Sequence, residues 1–154
     1  MTDLREVYQE VILDHYRKPR NFSVLEDATQ KACGHNPLCG DRISVYLLVE
    51  DGVVKEASFQ GAGCAISTAS ASMMTEVVKN KTVDAVRSLF ESFHEKMTSG
   101  DERAGRIDLG KLDALSGVRQ IPIRIKCATL AWHTLKAALD ENGSAGADVA
   151  VSTE

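Results

Sequence analysis

The chain has 154 residues, 44% of them hydrophobic and 26% charged, which is ordinary for a soluble globular protein. Its formal net charge of −4 excludes a broad nucleic-acid footprint, which needs clustered Lys and Arg, although Arg17, Lys18 and Arg20 make a local basic patch. No apolar run approaches the ~20 residues of a membrane helix, and the opening "MTDLREVYQEV" lacks the basic-then-apolar plan of a signal peptide, so a cytoplasmic, membrane-free protein is expected.

Leu4, Val7, Tyr8, Val11 and Ile12 recur at helical spacing, and the Asp3 to Glu6 pair resembles a capping box. Pro19 and the polar stretch after it end this first helix. "ATQKACGHN" reads as a short strand or an extended loop. "RISVYLLV" alternates, with Ile43, Val45, Leu47 and Val49 on one face, as a half-buried strand should. Asp51-Gly52 signals a hairpin, and "VVKEASFQ" is the returning strand. "GAGC" breaks the sheet, and Ala65 to Lys79 turns helical. The next helix covers "TVDAVRSLFESFHEKM", with Val83, Val86, Leu89, Phe90, Phe93 and Met97 as its apolar face. "SGDERAGR" is a loop, and "DLGKLDALSGV" is a short helix stopping at Gly117. A last helix begins between Pro122 and Lys126 and runs to about Glu141, presenting Leu130, Leu135 and Leu139. The pattern predicts an α+β fold, a small antiparallel β-sheet packed against several α-helices. It forms one domain over residues 1–141, followed by a disordered tail over 142–154.

Four cysteines, Cys33, Cys39, Cys64 and Cys127, carry no CxxC pair. In a reducing compartment such a count points to metal binding or thiol chemistry before disulfides. Three of them stand at element junctions. Cys39 precedes the long strand, with Asp41 almost at its start. Cys64 lies at the sheet-to-helix turn, beside Gly61 and Gly63, which allow close backbone approach. Cys127 lies in the first turn or so of the last helix. A closed zinc site needs four S, N or O ligands in near-tetrahedral array, with Zn–S of ~2.3 Å. Cys39, Asp41, Cys64 and Cys127 would supply four, yet the spacing is not that of a zinc finger. Buried structural cysteines beside a loop aspartate fit the spacing as well. Three thiolates and a carboxylate around zinc leave an excess of negative charge. Arg124 and Lys126 stand where they could offset it, and helix starts at Cys64 and Cys127 would favour thiolates there. His15, His94 and His133 read as surface or packed residues. A His35–Cys39 nucleophile pair is conceivable, but no oxyanion hole or orienting group accompanies it.

"NPLCGD" (Asn36 to Asp41), "GAGCAIS" (Gly61 to Ser67) and "RIKCATLAWHTL" (Arg124 to Leu135) together resemble the IscU/NifU-like family of iron–sulfur cluster assembly proteins. The similarity runs from the first helix to about Leu139 and is closest to the SufU-type branch. Scaffold-type members carry His directly before the third cysteine, where this chain has Lys126. They also carry a Leu-Pro-Pro-Val-Lys chaperone-recognition stretch where it reads "QIPIRIK", and "IDLGKLDALSGV" looks like the SufU-type insertion. The resemblance implies a SufE/NifU-like fold and a Zn2+ site of Cys39, Asp41, Cys64 and Cys127. It implies a sulfur acceptor serving a PLP-dependent cysteine desulfurase of the SufS type, upstream of the cluster scaffold of the Suf system. Within that reading Cys39, beside Gly40 on a loop, is the sulfur acceptor, and Arg124 steers the partner or the persulfide. Two other readings use the same residues: a scaffold for a [2Fe–2S] cluster, and a structural zinc domain that only binds a partner. Cys33 is not part of the family motif.

Overall fold

The computed structural model describes residues 4–36, 40–99, 112, 114, 115, 117, 118, 121–140 and 150–152. In chain order the elements are α1 (Leu4–Arg17), β1 (Gln30–Asn36), β2 (Asp41–Glu50), β3 (Val53–Ala62), α2 (Ala65–Val78), β4 (Lys81–Thr82), α3 (Val83–Ser99), α4 (Pro122–Asp140) and β5 (Ala150–Ser152). The strands form one sheet in the order β4-β3-β2-β1-β5. Neighbours are antiparallel except β5, which runs parallel to β1. The expected α+β arrangement is therefore the observed one.

Strand alternation decides which face is covered. Ala32, Ile43, Val45, Leu47, Ala57 and Phe59 all point to one side and are buried. Val45 sits opposite both Ala32 and Phe59 in the sheet. Onto this side pack α4, over β1 and β2, and α2, over β3. Asp51 and Gly52 turn the β2–β3 hairpin with φ of 53° and 74°, a conformation that glycine adopts without steric cost.

Two helices, both expected from the sequence, are buried more fully than a one-sided apolar pattern predicts. Leu130, Leu135 and Leu139 are buried as expected, but so are Cys127, Ala128, Ala131, Trp132, Thr134 and Ala138. Helix α4 is covered on nearly all sides, by the sheet, α2 and α3, so a one-sided apolar stripe understates its burial. Helix α2 buries Ser67, Ser70, Ser72 and Thr75, and its small residues let helices approach while their hydroxyls find partners. Ser70 Oγ donates to Ala128 O at 2.6 Å, and Ser72 Oγ meets His15 Nδ1 at 2.7 Å. His15 is thus a packed core residue.

Residues 150–152, inside the stretch expected to be disordered, form β5. The backbone edge of β1 offers unpaired N–H and C=O groups, and a short strand satisfies them. The short helix expected near Gly117 appears, at Leu112, Ala114, Leu115 and Val118, as 3₁₀ turns whose side chains are buried. The "GDERAGR" part of the expected loop and the capping residue Asp3 lie outside the described residues.

Helix α4 approaches β1 at Gly34, where a Cβ would strike Thr134 Oγ1 and lie 3.0 Å from Leu130 Cδ1. Gly34→Ala is expected to cost about 1–3 kcal/mol by overpacking, and a Gly34→Ala/Thr134→Ala double variant to recover part of it, measured by urea unfolding. A second test concerns His133, which lies against Phe90 and His94 between α3 and α4. Burial first, then His94 and Lys136, hold its pKa below the usual 6.5. A depressed histidine pKa gives stability that is present above pH 6.5 and lost as pH falls through the folded value. His133→Gln should flatten the fall in thermal midpoint below that pH.

Candidate metal centre

The inward-facing rows of the sheet end in polar residues at one end. Asn36 closes β1, Asp41 opens β2 directly opposite it, and both are buried. The turn from β3 into α2 passes the same spot. Cys64 is the N-cap of α2, with extended backbone, and its Sγ accepts the Ser67 N–H at 3.4 Å. A cap usually carries a Ser, Thr, Asp or Asn oxygen; here sulfur takes that place. Asp41 Oδ1 accepts the Cys64 N–H at 2.9 Å, and Asp41 Oδ2 lies 3.7 Å from Cys64 Sγ. Gly63 allows this approach, since a Cβ there would lie 3.0 Å from Asp41 Oδ1.

Cys127 enters from α4, fully buried. It stands in the second turn of that helix, since α4 starts at Pro122, the early end of the expected range. The free N–H groups of the helix start therefore do not serve its sulfur. Side chains do: Asn36 Nδ2 donates to Cys127 Sγ at 3.7 Å, and Arg124 Nη1 lies 4.0 Å from it. Arg124 is thus beside the sulfur whose charge it was expected to offset. Lys126 is half-buried on the same helix.

The ligand atoms of Asp41, Cys64 and Cys127 lie within 4.8 Å of one another, the one such cluster of three among the described residues. A tetrahedron with bonds of ~2.3 Å has edges of roughly 3.7 Å, so small side-chain rotations would bring the three onto one ion. Two thiols and a carboxylate are the donor types zinc takes. Cys39, the fourth expected ligand, lies outside the described residues. Of its described neighbours, Gly40 donates its N–H to Asn36 O at 2.8 Å and has a φ of +71°, which favours glycine.

The remaining candidates stand apart. Cys33 is half-exposed on the opposite face of the sheet, with Sγ 3.2 Å from Ser44 Oγ. It lines a shallow groove of about 460 Å³ with His35, Arg42, Ser44 and Gln60, and none of the described candidate ligands Asp41, Cys64 and Cys127 lines it. None of Cys33, Cys64 and Cys127 is in a disulfide. Asn36 carried no role in the sequence reading. Its signal was parity: it shares the inward phase of Gln30, Ala32 and Gly34, so a polar side chain is buried where a partner is needed.

An α+β domain that gathers two thiols and a carboxylate at the buried end of its sheet defines a class of small thiolate-rich metal-site proteins. The NifU-like N-terminal domain family matches residues 7–144, and the chain belongs to that family. It is 44% identical over 144 residues to the zinc-dependent sulfurtransferase SufU of Bacillus subtilis, covering 92% of this chain and 97% of that one. It is 46% identical over 136 residues to the iron–sulfur cluster assembly scaffold protein IscU of Thermotoga maritima, covering 86% and 92%. Among solved structures, a candidate iron–sulfur cluster assembly scaffold protein for the SUF system from Fervidobacterium islandicum superposes with a TM-score of 0.76 at 28% identity, covering 89% and 99%.

The Asp41–Cys64 contact can be tested without metal. Asp41→Ala leaves the Cys64 N–H without its acceptor and is expected to destabilise the metal-free protein by about 1–3 kcal/mol. Asp41→Asn keeps an acceptor oxygen and should cost less, both measured by urea unfolding in the presence of chelator.

Proposed function

We propose that this chain is a zinc-dependent sulfur-transfer protein of iron–sulfur cluster assembly in the cytoplasm, taking persulfide sulfur from a PLP-dependent cysteine desulfurase of the SufS type and passing it towards the cluster scaffold of the Suf system. The observation that carries this reading is the convergence of Asp41, Cys64 and Cys127 from three separate elements. The identity to the Bacillus subtilis sulfurtransferase supports it. Cys39, Asp41, Cys64 and Cys127 are the proposed ligands. Zinc bound there supplies redox-inert charge that keeps thiolates deprotonated at neutral pH.

The transfer itself is thiol–persulfide exchange. The Cys39 thiolate attacks the outer sulfur of the desulfurase persulfide, a new S–S bond forms at Cys39, and the old S–S bond breaks. The electron pair leaves on the desulfurase thiolate, so no oxidant or reductant is consumed. The acceptor must be a thiolate and reachable, which the buried Cys127 is not. The Arg124 guanidinium, beside Cys127 Sγ, offers a cation to an incoming anionic persulfide. The half-exposed Ile121 and Ile123 flank the start of α4 and give a partner apolar surface next to it.

A second reading, a scaffold for a [2Fe–2S] cluster, is favoured by the Thermotoga maritima relative, and thiolate ligands suit such clusters as well. Lys126 in place of the scaffold-type histidine favours transfer. Elemental analysis with a visible spectrum separates the two: about one zinc per chain without colour supports transfer, and iron with sulfide and colour supports the scaffold. Cys39→Ala is expected to reduce stimulation of the desulfurase to the level seen without the chain, while the circular dichroism spectrum stays native. Full transfer by that variant overturns Cys39 as acceptor, and an unfolded variant assigns the site a structural role.

A further inference from the structure

Asn36 touches three parts of the candidate centre at once. Its side-chain Nδ2–H donates to Cys127 Sγ across 91 residues of sequence. Its backbone carbonyl accepts the N–H of Gly40, the residue that follows Cys39 in the sequence. Across the sheet it is paired with Asp41. It has no solvent exposure, and Pro37 after it disfavours the helical backbone region, which keeps β1 extended to its last residue. A buried donor of fixed direction, held by strand and proline, is what a sulfur ligand needs to keep one orientation.

We propose that Asn36 is a positioning residue of the metal centre: its amide sets the Cys127 sulfur so that it faces the same ion as Asp41 and Cys64. The inference rests on the zinc-site reading above. The residue type follows from the chemistry. An amide N–H gives a hydrogen bond to thiolate sulfur and draws charge from it, whereas a carboxylate of the same shape presents only acceptors and repels it. Alanine would leave the sulfur without this partner.

The test uses the full chain loaded with Co2+, a zinc substitute whose thiolate-to-metal charge-transfer band reports on the sulfurs. In Asn36→Ala the affinity, measured by chelator competition, should fall about 10- to 100-fold. The charge-transfer band should move to lower energy, because a sulfur without its hydrogen bond holds its electrons less tightly. Asn36→Asp should weaken binding at least as much. If the wild type gives no such band, the metal-site reading itself fails. If the band is present but Asn36→Ala keeps it unmoved, the positioning role is overturned, and a loss of affinity alone is then mere destabilisation. Should the variants fail to fold, the wild type loaded with a spin-half cadmium isotope decides. A proton–cadmium correlation from the Asn36 side-chain amide, carried through Cys127 sulfur, is expected, and its absence overturns the proposal.

Discussion

The bond from the Cys64 N–H to Asp41 Oδ1 ties the start of the long strand to the start of α2, and the rest of the centre depends on it. A buried carboxylate needs compensation in place of water, and here it comes from the backbone at a helix start, where N–H groups are unsatisfied and the dipole favours negative charge. Cys64 uses the same helix start twice, giving its N–H to Asp41 and receiving the Ser67 N–H on its sulfur. The Asp41 and Cys64 side chains are therefore oriented by one local motif before α4 contributes anything.

The third donor depends on how α4 lies on the sheet. Its approach is set at Gly34, which removes the Cβ that would meet Thr134. With the helix seated there, Cys127 arrives beside Asn36, two residues further along the same strand face. The shell around the donors comes from different parts of the chain: Asn36 from β1, Gly63 from the β3–α2 turn, Arg124 from α4. Polar groups taken out of water need such outer partners, and Asn36 and Arg124 supply them to the buried Cys127 sulfur away from the helix terminus.

Most secondary structure was legible because period and punctuation agreed. The alternation of Ile43, Val45 and Leu47, the Asp51-Gly52 turn and the apolar face of α3 each matched one template. Legibility failed where burial was not one-sided. Helix α4 shows little contrast between faces because both are packed, and β5 has too few residues to carry a pattern of its own. Strand β1 reads in the sequence as either strand or loop, because "QKACGHN" mixes small and polar residues whose inward phase appears only once α4 covers it. Cys33 shows the same point in reverse: nothing in its neighbourhood along the chain tells which face of the sheet it takes, and the register with Ser44 puts it on the outer one.

By itself the sequence determined the local rules: where strands alternate, where helices start, and that the donors available are thiols and carboxylates at element junctions. The three motifs, read together, also marked the family. Only the tertiary structure decided which donors meet. Asp41, Cys64 and Cys127 are brought together by the packing of α2 and α4 on one sheet face, and a contact between residues so far apart in the chain depends on close approach, not on spacing. The same holds for Asn36, a turn-edge residue in the sequence whose amide meets a sulfur only because two elements pack against each other there.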